Sequence, residues 1–143
     1  DAHHMSTPHP QGLGAARAMR AALQSADVAA QKVDYLNLHG TGTRNNDAAE
    51  DAAVRAVFGE GIACSATKGW TGHTLGAAGA LEAVITLLAL RHGFVPGTVN
   101  TRRADPQLGL RLQLETVAHP IARAMSNSFG FGGSNCSLLF GRA

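Results

Sequence analysis

The spacing of apolar residues along the chain predicts strands that alternate with helices. Residues 12–26 carry apolar side chains near a 3.6-residue period, which is typical of an amphipathic helix. A short apolar run at 33–38 predicts a strand, and an alanine-rich segment from Asp47 to Phe58 predicts the next helix. Residues 62–66 predict a second short, buried strand. Strands alternating with helices indicate an α/β layered fold.

The second half of the chain predicts one long helix and a β-rich end. Residues 68–73 are interpreted as a loop, and residues 74–92 as a helix that is apolar on almost every side and therefore buried all round. A loop follows over 93–109. Leucines at 110–114 alternate with polar residues, which predicts a strand with one exposed face. Residues 124–140 predict two strands joined by a glycine-rich turn.

Composition narrows the function only a little. A chain of 143 residues fits one domain, and a net charge of +2 is too small to indicate nucleic-acid or membrane binding. No uninterrupted apolar run reaches the ~18 residues of a membrane span. The two cysteines, Cys64 and Cys136, are far apart in predicted strands, so they are interpreted as small core residues in a reduced, cytoplasmic protein.

Two histidines follow apolar segments and lie in glycine-rich loops. His39 begins the run His-Gly-Thr-Gly-Thr, and His73 ends the run Lys-Gly-Trp-Thr-Gly-His. If both rings face one cavity, each neutral imidazole can donate one N–H to a shared acceptor, as in an oxyanion hole. A lone histidine more often only satisfies a backbone carbonyl, but a pair on glycine loops favours a site. We therefore predict a site that stabilises charge developing on a carbonyl oxygen.

Polar residues near these histidines are candidates for supporting roles. Lys68 lies five residues before His73 in apolar surroundings, so we expect it to be partly buried and paired with a carboxylate, with Glu82 as the candidate partner. The alternative for Lys68 is a solvated surface charge. The hydroxyls of Thr41 and Thr43 are suited either to bind the amides of an extended substrate arm or to cap their own loop.

Other chemistries find little support in the sequence. A metal site needs further ligands, and neither histidine loop supplies a His-x-x-x-His or Cys-x-x-Cys pair. The Gly-x-Gly pieces lack the final glycine of the dinucleotide fingerprint, and no phosphate-loop signature occurs. No Gly-x-Ser-x-Gly elbow is present, and neither cysteine lies where thiolates are activated. The sequence therefore predicts the charge-stabilising part of a site, without metal, nucleotide or nucleophile.

Three motifs taken together resemble a known family. The segments 39–43, 68–79 and 127–135 resemble, in order and spacing, the C-terminal half of β-ketoacyl-acyl-carrier-protein synthases with a Cys-His-His site. The resemblance implies an α/β, thiolase-like fold: residues 1–143 would be the C-terminal half of an αβαβα layered body with a mixed sheet. It also implies decarboxylative Claisen condensation of malonyl-carrier-protein with an acyl thioester, in fatty acid or polyketide synthesis.

The resemblance also implies roles for individual positions. His39 and His73 match the catalytic histidines, and Lys68 matches the active-site lysine. Phe131 matches a residue whose backbone N–H helps form the acyl oxyanion hole and whose ring gates the acyl pocket. Supporting roles are implied for three acidic positions: Asp47, Glu50 and Glu82. Substrate-binding roles fall to residues that match the arm channel or acyl pocket: Thr41, Thr43, Phe129, Gly130 and Phe131.

Finally, the resemblance implies partners. An acyl carrier protein would present its phosphopantetheine arm as substrate carrier, no other cofactor is implied, and a homodimer or a heterodimer with a related subunit is expected. The family's nucleophilic cysteine belongs to the N-terminal half, so we expect this chain to be an incomplete domain that is inactive alone. Segment 44–46 and Trp70 depart from the family pattern and leave the acyl substrate open. Two alternatives, a non-catalytic partner like a chain-length factor and a thiolase, fit the retained histidine pair less well.

Overall fold

The computed structural model describes residues 1–142, which form a mixed five-stranded sheet with helices packed on both faces. The helices are α1 (Leu13–Ser25), α2 (Arg44–Phe58), α3 (Lys68–Thr71) and α4 (Ala78–His92). The strands are β1 (Tyr35–Leu38), β2 (Ala63–Ala66), β3 (Phe94–Val95), β4 (Arg111–Leu112), β5 (Val117–Ala118), β6 (Arg123–Phe129) and β7 (Asn135–Gly141). Short 3₁₀ turns occupy Ala30–Lys32, Leu75–Ala77 and Phe131–Gly133.

The order of strands brings the three sequence motifs to one end of the sheet. The order is β4-β2-β1-β6-β7, in which β7 is antiparallel to β6 and the other neighbours are parallel. Strands β3 and β5 form a separate antiparallel pair. His39 directly follows β1, and Lys68 lies two residues after β2. Because parallel strands point the same way, their carboxyl ends gather the loops that follow them.

The two faces of β1 are packed by different helices. Leu36 and Leu38 point into a cluster of apolar side chains from α1 and α2, which includes the fully buried Met19. Tyr35 points to the opposite face, into a smaller cluster with Ala89 and other residues near α4. Both faces of the strand are therefore buried, although its residues alternate between apolar and polar types.

A single glycine sets how closely α1 approaches α2. Gly12 precedes α1 with φ +61°, in the left-handed region, and a Cβ there would lie 2.1 Å from the carbonyl oxygen of Ala49. Neither the backbone angle nor the spacing admits a side chain without displacing α2. The close approach packs the start of α1 against α2, the helix that carries the buried Glu50.

Element boundaries differ from the sequence prediction at several places. Helix α2 begins at Arg44, three residues before the predicted start, and its N-cap residue is Thr43 in an extended conformation. Residues 68–73, predicted as a loop, contain the one-turn helix α3, and α4 is preceded by a 3₁₀ turn. The strand predicted over 110–114 is only two residues long, and β3 lies inside the loop predicted over 93–109.

The prediction that the long helix is buried on every side is wrong for the described chain. Glu82, Thr86 and Ala89 of α4 are buried, but Val84 is 53% exposed and Leu88 is 44% exposed. Within residues 1–142, one helical stretch, from Leu75 to His92, is long and apolar enough by length and composition to cross a membrane. This is weak evidence for a span, because the core helices of globular proteins meet the same criterion.

Candidate active site

The candidate site lies where β1 and β2 end side by side. Gly40 follows His39 with φ +43°, and a Cβ on it would lie 2.5 Å from the Cβ of Ala66. Only glycine fits this turn, which keeps the end of β1 against the end of β2. As a result, the His39 ring and the Lys68 side chain, 29 residues apart in sequence, come into contact.

Lys68 is buried and its ammonium group has three partners. It forms an ion pair with the buried carboxylate of Glu82, donates to the backbone carbonyl of His39, and lies 3.3 Å from the Nδ1 atom of the same histidine. Burial raises the pKa of Glu82, and the hydrogen bond and charge of Lys68 oppose that rise. A buried lysine is tolerable only with such compensation, because an unpaired charge in an apolar interior is costly.

Glu50 holds the backbone of the His39 loop from the opposite side. Its carboxylate accepts from the backbone N–H of His39 at 2.8 Å and of Gly40 at 2.9 Å. The amide of Asn127 donates to the same carboxylate at 3.2 Å, and the hydroxyl of Ser137 donates to Asn127 at 2.8 Å. Burial raises the pKa of Glu50, while these backbone and side-chain hydrogen bonds lower it. The carboxylate therefore fixes the loop conformation that aims His39.

The ring of the second histidine lies edge to face against the ring of the first. The ring centroids of His39 and His73 are 5.6 Å apart and the ring planes meet at 83°. The backbone N–H of Leu75 donates to Nδ1 of His73 at 3.3 Å, so a neutral His73 carries its proton on Nε2. Lys68 lies at Nδ1 of His39 in the same way, which assigns the Nε2–H form to that ring as well.

The protonation state of His39 follows from its surroundings. Burial, the charge of Lys68 and the neighbouring His73 together lower the pKa of His39 from 6.5 to about 3. Burial is the largest of these causes, because it removes water from the charged form. His39 is consequently a neutral hydrogen-bond donor at physiological pH, which is the form required to stabilise a new negative charge.

A cavity of about 930 Å³ opens in front of both histidines. Its walls come from all three sequence motifs and from the N-terminal segment, with Met5 and His4 among the lining residues. The ring of Phe129 lies 5.7 Å from that of His39, whereas the side chain of Phe131 is 81% exposed at the rim. The lining residues that the sequence had marked as substrate-binding are Thr41, Thr43, Phe129, Gly130 and Phe131.

The remaining residues that the sequence analysis singled out make their hydrogen bonds away from the two histidine rings, and one of the two cysteines is not where it was predicted. The hydroxyls of Thr41 and Thr43 bond each other at 2.9 Å. Asp47 lies in the first turn of α2 and accepts a hydrogen bond from Asn46 at 3.1 Å. The interpretation of Cys136 as a core residue is wrong: it is exposed on β7 and lines the cavity, whereas Cys64 is fully buried.

Sequence reasoning missed two contributors to the site. Asn127 was noted as part of a motif but not given a role, although its amide supports Glu50. The N-terminal segment was also left out, yet the N–H of Gly132 donates to the carbonyl of Met5 at 2.7 Å and so ties this segment to the third motif.

The arrangement can stabilise an oxyanion through two hydrogen-bond donors. Two Nε2–H groups, one on each histidine, border the same cavity, and a carbonyl oxygen placed between them would accept from both. Among residues 1–142, no group of three His, Cys, Asp or Glu side chains is positioned to hold a metal. The fold and the site thus define an α/β protein with two histidine side chains that face one cavity.

Comparison with known proteins gives the family. The family model for the β-ketoacyl synthase C-terminal domain matches residues 1–102, and the chain belongs to this family. It is 47% identical, over 98% of its length, to the mitochondrial 3-oxoacyl-acyl-carrier-protein synthase of Arabidopsis thaliana. It is 48% identical, over 91% of its length, to 3-oxoacyl-acyl-carrier-protein synthase 1 of Escherichia coli strain K12. The chain spans 32% of each of these relatives, about a third of their length.

Solved structures give the fold class independently. A ketosynthase in complex with its chain length factor from Xenorhabdus doucetiae superposes with a TM-score of 0.94 at 46% identity, covering 100% of this chain and 37% of that one. The thiolase-like α/β fold with a mixed sheet, which the motifs implied, is confirmed by this likeness. The resemblance to the C-terminal half of the synthases is confirmed as well.

Proposed function

We propose that this chain supplies the histidine–histidine–lysine part of the active site of a decarboxylating β-ketoacyl synthase. The observation that carries the proposal is the convergence of His39 and His73 on one cavity, each with Nδ1 occupied and Nε2–H free to donate. Family membership supports the class of reaction. The geometry supports the role of the two rings, because a pair of preplaced donors favours the charge that appears during the reaction.

In the proposed reaction, the thioester oxygen of a malonyl group accepts hydrogen bonds from both Nε2–H groups. The bond between the carboxylate and the central carbon breaks, carbon dioxide leaves, and the electron pair passes into an enolate whose oxygen His39 and His73 stabilise. The enolate carbon then attacks an acyl thioester, and the released thiolate takes up a proton. Placing both donors before charge develops lowers the barrier without rearrangement at the moment of reaction.

Lys68 has a separate task in this scheme. Its ammonium lies at Nδ1 of His39, so that nitrogen cannot gain a proton without bringing two positive charges together. This keeps His39 neutral and oriented, with its remaining N–H toward the cavity. Glu82 compensates the lysine charge and holds its position. The supporting carboxylate Glu50 anchors the loop that carries His39, and we give Asp47 a structural role at the start of α2.

The substrate is proposed to reach the site on the phosphopantetheine arm of an acyl carrier protein. The two similar enzymes are named for such a carrier protein. Thr41 and Thr43 border the cavity with paired hydroxyls suited to the amides of the arm. Phe129, Gly130 and Phe131 are proposed to border the acyl group, with the exposed ring of Phe131 as a gate.

The nucleophile that carries the acyl group is proposed to come from outside these 143 residues. Cys64 is fully buried inside β2, and burial raises the pKa of its thiol well above the usual range, so it cannot serve as a thiolate. We propose that the cysteine belongs to an N-terminal half of the same protein, that the whole acts as a homodimer or a heterodimer with a related subunit, and that the isolated chain is inactive.

A non-catalytic role beside a related synthase is the second candidate. The observation that favours it is the likeness to a complex that contains a chain length factor. The retained network of His39, Lys68 and Glu82, with buried charges held in costly pairs, favours the catalytic role instead. In a subunit that catalyses no reaction, the free-energy cost of removing these charges from water would bring no catalytic benefit.

Replacing His73 by alanine in the intact protein tests the proposal. Removing one of two donors to the developing oxyanion should slow malonyl decarboxylation by about 100- to 1000-fold. Acylation of the nucleophilic cysteine should remain measurable, since that step does not use the enolate. Release of labelled carbon dioxide and mass spectrometry of the acyl-enzyme measure the two steps. Unchanged decarboxylation in the folded variant would remove the proposed role of His73.

Cys136 provides the control on the origin of the nucleophile. It is exposed at the cavity wall, so it is the thiol within residues 1–142 that a substrate can reach. The variant Cys136→Ala of the intact protein should still form the acyl-enzyme. Loss of the acyl-enzyme in this variant, with the fold retained, would place the nucleophile inside this chain and contradict the proposal.

A further inference from the structure

A row of buried polar side chains runs between α4 and the sheet, behind the site. Tyr35 and Ser65 share a hydrogen bond of 2.7 Å at one end of the row. Asn37 and Thr67 occupy its middle, and both are fully buried. Lys68 and its ion pair form the end that lies beside His39. Burying so many polar groups together is costly unless they hold one another in a defined arrangement.

Asn37 is the residue of this row with the most connections. Its amide nitrogen donates to the backbone carbonyl of Glu82 at 3.2 Å and lies 3.2 Å from the hydroxyl of Thr86. The Thr86 hydroxyl itself donates to the Glu82 carbonyl at 2.7 Å. Asn37 thus holds the turn of α4 that carries Glu82 against β1. It lies two residues before His39 on the same strand face, because side chains alternate along a strand.

The amide oxygen of Asn37 reaches a different element. It accepts a hydrogen bond from the hydroxyl of Thr67 at 3.4 Å. Thr67 directly precedes Lys68, and its backbone carbonyl accepts from the N–H of Trp70 at 2.9 Å, so it also starts α3. One amide group therefore links the turn that carries Glu82 to the residue beside Lys68. These are the two elements that meet in the ion pair.

We propose that Asn37 and Thr67 are positioning residues, which hold α4 and the start of α3 in the register that places the Lys68 ammonium against Nδ1 of His39. Lysine has a flexible four-carbon side chain. Its ammonium therefore keeps one position only if its own backbone, at the start of α3, and its partner Glu82, on α4, are both held in place. Neither Asn37 nor Thr67 borders the large cavity, so they act through Lys68 and not on substrate.

The groups that face His39 determine how this role can be detected. Lys68 and His73 face its ring, Glu50 bonds its backbone N–H, and Glu82 acts on it through Lys68. Of these, Lys68 is the charge that lowers the pKa of His39 most, after burial itself. If the ammonium moves away from the ring, the pKa of His39 must rise toward its ordinary value.

The experiment measures the His39 pKa and the decarboxylation rate in the intact protein. Histidine-labelled protein, titrated by NMR, reports the pKa without any substrate, whereas the rate readout rests on the proposed function. Thr67→Val removes the hydroxyl at nearly constant volume, and Thr67→Ser restores it. Asn37→Ser removes the amide and is the stronger variant. Thr71→Val removes a hydroxyl from the same short helix that bonds only Gly72, and serves as control.

In Thr67→Val, we expect the His39 pKa to rise by about half a unit or more, and kcat for malonyl decarboxylation to fall about three- to tenfold with KM unchanged. Thr67→Ser should recover both values, and Asn37→Ser should exceed the Thr67→Val effect. If Asn37→Ser does not fold, Thr67→Val alone decides. A His39 pKa equal to that of wild type and Thr71→Val overturns the inference. A wild-type protein that decarboxylates nothing overturns only the proposed function, since the titration still reports on the lysine.

Discussion

The two faces of the central sheet are both buried, but they are buried in different ways. Under α1 and α2, the sheet presents apolar side chains such as Leu36, Leu38 and Met125. Under α4, the same strands present polar side chains, among them Asn37 and Ser126. The first face is apolar along most of its length and carries buried polar groups, Glu50 and Asn127, at its end beside His39. The second face carries a row of buried hydrogen bonds that leads to Lys68.

The outer sides of the helices, which face away from the sheet, show the reverse pattern: the outer side of α1 is charged and that of α4 is apolar. The exposed side of α1 carries charged residues such as Arg17 and Arg20, as expected for a helix against solvent. The outer side of α4 carries Val84, Leu87 and Leu88, which are 43% to 53% exposed in the described chain. The outer side of α4 is therefore an apolar surface suited to pack against another element, which the outer side of α1 is not.

The largest difference in stability between the two sides of the sheet is expected when one partner of an ion pair is removed. Glu82→Ala leaves the buried ammonium of Lys68 without its carboxylate, so the free energy of unfolding of the intact protein should fall by about 3 to 5 kcal/mol. The matched variant Glu60→Ala removes the exposed partner of Arg55 on the α2 side, where the pair distance is 3.0 Å, and should cost at most about 1 kcal/mol. Urea unfolding curves measure both values. Equal losses in the two variants would contradict the contrast between the faces.

A smaller effect is expected from charges placed on the outer helix sides. Leu88→Glu should lower the free energy of unfolding of the intact protein by about 2 kcal/mol, because we expect another element to cover the apolar outer side of α4 there. Arg17→Glu on α1 should change it by no more than about 0.5 kcal/mol, since that side faces water. Thermal and urea unfolding report both changes. A Leu88→Glu variant as stable as Arg17→Glu would show that α4 remains uncovered in the intact protein.

The pH dependence of stability has the smallest expected change for a step of one pH unit, and it is the most specific test. His39 has a pKa of about 3 in the folded protein and an ordinary value of 6.5, so between these pH values the unfolded chain binds more protons. The free energy of unfolding should therefore decrease as pH falls through this window, by up to about 1.4 kcal/mol per pH unit. The raised pKa values of Glu50 and Glu82 act with the opposite sign above 4.5, where stability decreases as pH rises.

The difference between wild type and His39→Gln isolates the histidine contribution, because both proteins retain the two carboxylates. Subtracting their unfolding free energies at each pH should leave a curve that declines toward acid. A flat difference curve would mean that His39 has the same pKa in the folded and the unfolded protein. In that case burial and the charge of Lys68 would not lower the pKa of this ring as inferred from its surroundings.

The spacing of apolar residues in the sequence predicted many of the helices and strands. It did not predict the buried polar residues that hold the site in place. Helix α1 and strand β2 were predicted to within one residue at each end, because local periodicity reflects contacts on one face. The alternation in Tyr-Leu-Asn-Leu is the pattern of a half-exposed strand, yet both faces of β1 are buried. Local pattern cannot reveal that a polar face is covered, because the covering helix α4 comes 40 residues later.

The sequence by itself determined which chemical groups are available: two histidines and a lysine on glycine-rich loops, in an order that identifies the family. Only the tertiary structure decided that Lys68 touches His39, that Glu50 and Asn127 brace the loop, and that both histidines face one cavity. The physical reason is that hydrogen bonds and ion pairs act over a few ångströms, whereas these residues are tens of positions apart in the chain. Parallel strand order brings them within that range.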